Sequence, residues 1–443
     1  MTSITLDSQR ILQHQASETG QGNYDPPQPD HSYWKEENHT TDNFLRVEQW
    51  LPSVAHLTLT NGIEEVVQLS YDLGVAMLRY CEEVKMMANI RDEQEVGKGK
   101  APSLEDADFW DEEHTRISSE WPASNNRKIW WCSLCDLAEK LDQAISNLPT
   151  QSAFVKLSVR SPKDSAFKTQ TFFTELEELL GSSDLDSSDP SVLSENVRFI
   201  KIASFKALKV SNGWEALKLL LRSDRVYVDI LQHELFNKKE NFKLNVHVAP
   251  FIDDLDPCWE FRGFVSNGKK TGLTAYSPWV YDPLLLENKA KIEKLILSVW
   301  NEAEPLVSSK NYSIDFAVSP KLNSCKIVEI NNFLPPLAGA GLFNYSNEED
   351  RKLVHEGPYS FRVKVKPITD QDFVTKQKDK QTGGTITVEM KPAPPHVLHF
   401  IECWRRGINP SSQVQQPTPG KQPASAASSD NSSVARPSPC TVM

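Results

Sequence analysis

Between Phe242 and Asn332 the chain keeps returning to one texture, short runs in which apolar and polar residues roughly alternate, parted by turn residues. The runs are FKLNVHVA, WEFRGFVSN, TGLTAYS, YSIDFAV and CKIVEIN. A period of two sends successive side chains to opposite faces, so each run reads as a strand. Asn267-Gly268, between the second and third runs, is the dipeptide favoured in two-residue hairpin loops. Residues 320–324 can turn YSIDFAV into CKIVEIN. The segment ENKAKIEKLILSVWNEAEPLV reads as a long helix, with Leu295, Val299 and Trp300 among its buried candidates.

Upstream, SAFVKLSV reads as a strand, TQTFFTELEELLG as a helix stopped by Gly181, and SSDLDSSDPS as a loop. Residues 195–223 carry one or two helices. From Asn43 to Met87 the pattern is helical, and LSYDLGVAMLRYCEEVKMM sets Leu69, Leu73, Val75, Met77 and Leu78 on one apolar side. Residues 91–126 are charged and irregular, as in a surface insertion, and Trp130 to Leu148 form another amphipathic helix. Helices followed by a mostly antiparallel sheet predict an α+β fold rather than a doubly wound parallel one.

The composition narrows the function classes. A net charge of −12 argues against coating nucleic acid, so no direct nucleic-acid partner is expected. No apolar run is long enough to span a membrane, and the N-terminus lacks a basic-then-apolar leader. Seven scattered cysteines fit reduced thiols and a cytoplasmic location. The expected organisation is a disordered start (1–40), a helical N-terminal extension with a charged insertion (41–150), and a core (151–370). Strand and helix elements (371–406) and a disordered low-complexity tail (407–443) complete it.

The chemistry concentrates in KIVEINNFLPP, Lys326 to Pro336. Glu329 and Asn331, two apart on a strand, share a face and offer hard oxygen ligands. Asp315 lies in the preceding strand, so pairing across the turn would gather three such ligands. Mg²⁺ accepts a few protein oxygens and completes its shell with water and substrate phosphates. Lys156 supplies a point charge for phosphate, and Arg262 a planar fork. Neither GxxxxGK[ST] nor GxGxxG occurs, so the loop-based nucleotide folds find no support. Against this stands the commoner role of such residues, as a solvated strand face and a lysine lying along the sheet edge.

Five motifs in order give a more specific indication. FVKLSVRSPKDSAF resembles the lysine-bearing strand and Ser-Pro-basic-Asp turn of the cell division cycle protein 123 family. ALKLLLRSDRV resembles its helix ending in Ser-Asp, and WEFRGFVSNGKKTGLTAYSP its Glu-Phe-Arg-x-Phe-Val strand and hairpin. YSIDFAV and KIVEINNFLPP resemble its two closing strands. The resemblance spans about 150–345 and implies an ATP-grasp-like fold of two α+β lobes with nucleotide between them. It implies that ATP and Mg²⁺ bind. Lys156 and Arg262 would face the phosphates, Ser158 would sit beside the nucleotide, and Asp315, Glu329 and Asn331 would hold the metal. The backbone hinge for adenine would fall at Val246, His247 and Val248. The chain departs from the family with Glu329 for Asp, Asn332 for Pro, Ser158 for Asn, and Val-His-Val for a more basic hinge. The implied role is an assembly chaperone for the heterotrimeric translation initiation factor 2, binding its γ subunit. The rivals are an ATP-grasp ligase or kinase acting on an unknown acceptor, and a nucleotide-free protein-binding scaffold.

Three further signals stand apart. Cys440-Thr-Val-Met443 matches a C-a-a-X box, and a farnesyl group on Cys440 would add weak membrane association. Cys132-Ser-Leu-Cys135 is a lone CxxC, and His396, His399 and Cys403 a loose trio. The CxxC has no second ligand pair at the spacing structural zinc needs, and a short amphipathic helix packing Val397, Leu398, Phe400 and Ile401 explains the trio better than zinc does.

Overall fold

The computed structural model describes residues 46–96, 125–181, 190–236, 239, 242–333, 339–345, 347–368, 374–378 and 385–389. Two mixed layers carry the architecture. In the first, strands β1 (Glu65–Leu69), β2 (Ala153–Leu157) and β3 (Leu244–Pro250) form an antiparallel sheet in the order β1-β3-β2. In the second, β4 (Glu260–Ser266), β5 (Lys269–Ala275), β6 (Tyr312–Val318), β7 (Cys325–Asn332) and β8 (Ser360–Arg362) form a five-stranded sheet in the order β7-β6-β4-β5-β8. Only the β5–β8 pair in it is parallel. A separate hairpin pairs β9 (Val374–Lys378) with β10 (Thr385–Glu389). The molecule is thus α+β with mostly antiparallel sheets, as the strand periodicity predicts.

Helices α1 (Val47–Val54), α2 (Tyr71–Val96) and α3 (Asn125–Asn147) precede β2. Helices α4 (Gln170–Gly181), α5 (Pro190–Lys206), α6 (Gly213–Arg222) and α7 (Asp224–Phe236) lie between β2 and β3. Later come α8 (Pro283–Glu287), α9 (Lys289–Ala303) and α10 (Glu348–Glu356). One face of the small sheet buries Val67, Leu69, Val155, Leu157, Val246 and Val248 in a core shared with α2, α3 and α6. Gly213 lets α6 lie against α3, because a Cβ there would fall 1.8 Å from the Ala138 carbonyl oxygen.

The large sheet separates its faces by alternation. Phe261, Val265, Leu273, Ile314, Phe316 and Ile330 pack with Ile292, Ile296 and Trp300 of α9. Gly263 makes room for the Trp300 ring, which a Cβ would meet at 2.4 Å. The hairpin between β4 and β5 turns on Asn267 and Gly268, both at positive φ, as the Asn-Gly signal predicts.

Three features differ from the sequence-based expectation. The segment expected to be a helical extension supplies β1, so residues 65–69 are a strand of the small sheet. Five residues beside a long helix carry too little period of their own, and pairing with β3 decides their state. Helix α7 was not anticipated. It is nucleated from outside: the Asp164 carboxylate accepts from the Asp224 amide at 2.7 Å and from the Ser223 hydroxyl at 2.6 Å. Finally, α5 begins at Pro190, inside the expected loop, because proline suits a first helical turn. Cys440, His396, His399, Cys403 and the terminal segments 1–40 and 407–443 lie outside the described residues.

Candidate functional site

The face of the large sheet away from α9 carries one polar row. In the ladder Glu329 stands opposite Asp315, Asp315 opposite Arg262, and Arg262 opposite Thr274. Directly opposed residues share a face, so four strands present a single line of side chains. Asn331, opposite Ser313, continues the next line on the same face.

A bulge puts Glu329 there. The β6–β7 register shifts between Asp315 and Phe316, leaving Val328 as the extra residue on β7. Ile327 opposite Phe316 is therefore in the core, whereas Glu329 opposite Asp315 is in the polar row. Strict alternation would have sent residues 327 and 329 the same way.

The row is densely paired. Arg262 donates from Nε to Asp315 Oδ1 and from Nη2 to Oδ2, each at 2.8 Å, and from Nη1 to the Gly339 carbonyl at 3.1 Å. From the small sheet, Lys156 Nζ of β2 donates to Glu329 Oε1 at 2.5 Å. Both side chains are only 14% exposed. Burial would raise the Glu329 pKa, but the charges of Lys156 and Lys163, the Lys156 hydrogen bond and Arg262 bring it down to about 2. Burial raises the Asp315 carboxyl, opposed by the Arg262 charge and hydrogen bonds.

A second tier of cations lies beside the row. Lys163, Lys201 and Arg262 stand 4.8, 5.0 and 4.7 Å from the centre of the Tyr276 ring. Glu260, two residues before Arg262 on the same strand face, lies 3.6 Å from Lys201 and 4.0 Å from Lys163. Burial would lower the Lys163 pKa, yet the fields of Tyr276, Glu260, Glu329 and Asp315 raise it. Lys163 was readable only as the basic residue of the Ser-Pro-basic-Asp turn. Glu260 was readable from strand alternation. Nothing in the sequence pointed to Lys201 or Tyr276.

The remaining expected residues sit on the small sheet. Ser158 is buried; its hydroxyl donates to Glu48 Oε1 at 2.6 Å and accepts from the Asn245 amide at 3.0 Å. His247 stands opposite Lys156 in the ladder, with Nδ1 bonded to Glu64 Oε1 at 3.1 Å and Nε2 3.1 Å from Glu48 Oε1. Burial works against its charge, but the two carboxylates outweigh that and raise its pKa. Val246, His247 and Val248 have ladder partners in both β1 and β2. Mid-sheet amides are committed to their neighbours, so a free hinge edge is not found at 246–248. Ladder pairing of β3 ends at Pro250.

Glu48 belongs to a strap, residues 46–62, that touches both sheets. Val47 donates its amide to the Ser158 carbonyl, and Leu59 donates to that of Ile327 on the outer edge of β7. Lys326 Nζ bonds the His56 carbonyl and Asn61 Oδ1. Val47, Trp50, Leu51, Val54 and Leu57 are buried with the core of the large sheet.

The donor set suits a hard cation completed by phosphate oxygens. Asp315, Glu329 and Asn331 are all oxygen ligands on one face, and Asn331 makes no side-chain hydrogen bond among the described residues. No group of three or more His, Cys, Asp or Glu among the described residues could hold a metal by itself. A Mg²⁺ here would therefore need non-protein oxygens, as it does with nucleotides. Lys156, Lys163, Lys201 and Arg262 provide the charge to receive a polyphosphate. Cys132 and Cys135 lie three residues apart on α3, in a different part of the fold.

A family model described as D123 matches residues 198–386. That span includes Arg262, Asp315, Glu329 and Asn331 and leaves out Lys156 and Ser158. Among solved structures, Cdc123 from Schizosaccharomyces pombe is similar at 17% identity and a TM-score of 0.43, covering 72% of this chain and 94% of that one. A C-terminally truncated form of the same yeast protein gives the same values. No curated protein sequence matches.

Proposed function

We propose, from the match of residues 198–386 to the D123 family model, that the polar row of the large sheet, with Lys156 of the small sheet, binds ATP with Mg²⁺. The observation that carries this reading is the row Glu329–Asp315–Arg262, met from the small sheet by Lys156 at 2.5 Å. Glu329, Asp315 and Asn331 would hold the metal, which when bound neutralises phosphate charge. Lys156, Arg262 and Lys163 would hold the phosphates. The adenine edge would be read near the exit of β3, beyond residues 246–248.

The wider role proposed is that of an assembly chaperone for translation initiation factor 2, acting on its γ subunit in the cytoplasm. Among the described residues no helix is long and apolar enough to cross a membrane. Isothermal titration with ATP and excess Mg²⁺ tests the nucleotide reading. Saturable binding that is lost in Asp315→Asn supports it, and no heat in the folded wild-type chain overturns it. Co-precipitation with the purified γ subunit tests the partner.

One observation favours a second reading, a nucleotide-free protein-binding scaffold. Both acidic residues of the row already have cationic partners, so their charges are balanced without ligand. The same titration separates the two.

A further inference from the structure

The two ion pairs of the row occupy the groups that a metal and a triphosphate would each need. Lys156 holds Glu329 at 2.5 Å, and Arg262 holds both oxygens of Asp315 at 2.8 Å. All four side chains are nearly or fully buried, at 14% and 14% exposure in one pair and 9% and 1% in the other. A hard cation drawing on Glu329 Oε1 therefore competes with Lys156, and a phosphate drawing on Lys156 weakens its hold on Glu329. Removing one partner alone strands a buried charge, which is strongly unfavourable.

We propose that the site works by exchange of ion pairs, so that metal or nucleotide alone competes with the internal pairs and each ligand raises the affinity for the other. This inference rests on the nucleotide reading above. It adds that the internal pairs act as a lock against either ligand alone. Lys163 and Lys201, which share Glu260 and Tyr276, stay in place as the fixed part of the cationic wall. The moving parts are the Lys156 side chain and the Arg262 fork. Thermodynamic linkage makes the coupling reciprocal.

The test uses the full-length chain, ATP and Mn²⁺ as probes, calorimetry for ATP, and electron paramagnetic resonance for free Mn²⁺. Wild type should bind metal-free ATP weakly and nucleotide-free Mn²⁺ weakly, with a coupling of roughly 5–150-fold beyond that of Mn²⁺ with ATP in solution. Glu329→Gln frees Lys156 and should bind metal-free ATP about tenfold more tightly than wild type. Lys156→Met frees Glu329 and should bind nucleotide-free Mn²⁺ more tightly than wild type. The double variant Lys156→Met/Glu329→Gln buries no unpaired charge, so it stays measurable if Lys156→Met fails to fold. Its coupling should fall to the solution value. The exchange is overturned if the double variant keeps the wild-type coupling, or if Glu329→Gln leaves metal-free ATP affinity unchanged. If wild type binds no ATP with or without metal, the nucleotide reading itself has failed. If it binds both and the variants show no release, only the lock is wrong.

Discussion

Both sheets carry buried charge, but they secure it differently. On the large sheet the Arg262 fork is set against Asp315, its opposite in the ladder, and Glu329 is met by Lys156 of the small sheet. Burial works against the Arg262 charge, but Asp315 beside it outweighs that and raises its pKa. On the small sheet a single imidazole, His247, is set between Glu48 and Glu64. That group loses its charge as pH rises through its raised pKa. Its partners also come from elsewhere: Glu48 rides on the strap, and Glu64 immediately precedes β1. The arginine fork thus keeps its charge where it meets Asp315, whereas the strap is fastened by an imidazole pair that pH can weaken.

Breaking the row should have the largest effect. Arg262→Met leaves Asp315 buried without its partner and should cost about 3–5 kcal/mol in urea unfolding. Pairing it with Asp315→Leu should recover much of that loss, and no recovery would mean that the fork does more than neutralise one acid. Next comes the support beneath the row. Gly263→Ala drives a methyl into Trp300 and should cost about 1–3 kcal/mol, with a drop in nucleotide affinity as Arg262 shifts. An unchanged midpoint would show that α9 yields freely.

The turn that carries Lys163 comes third. Asp164→Ala removes the acceptor for Ser223 and the first amide of α7, and should cost about 1 kcal/mol. The thermal midpoint reads the loss. The smallest effect concerns the strap. The folded pKa of His247 is raised, so its stabilisation is fully present below its unfolded value, about 6.5, and is lost as pH rises through the raised folded value. His247→Gln should flatten that part of the stability–pH curve. A curve with the wild-type slope would place the titrating group elsewhere.

Much of the site was legible because it lies on strands. Asp315, Glu329-x-Asn331 and Arg262 could be set on strands by period alone, and the Asn267-Gly268 loop fixed how β4 meets β5. The reasoning that put Glu329 and Asn331 on one face holds, but it missed Val328. A bulge has no composition of its own, and only the partner strand shows which residue is extra. The expected hinge at Val246 to Val248 falls in a strand whose place in the sheet the sequence hides, for a related reason. A strand looks alike at an edge and at a centre, and β1, hidden in a helical texture, turned β3 into a central strand.

Local sequence settled what depends on neighbours in the chain: strand period, the hairpin turn, the helix α9, and which residue types could bind a cation or an anion. Tertiary structure alone decided which of them meet. Lys156 reaches Glu329 across 173 positions, and Lys201 arrives on a helix to share Glu260. Backbone preferences act over a few residues, whereas a buried ion pair forms only where distant elements bring opposite charges together away from water.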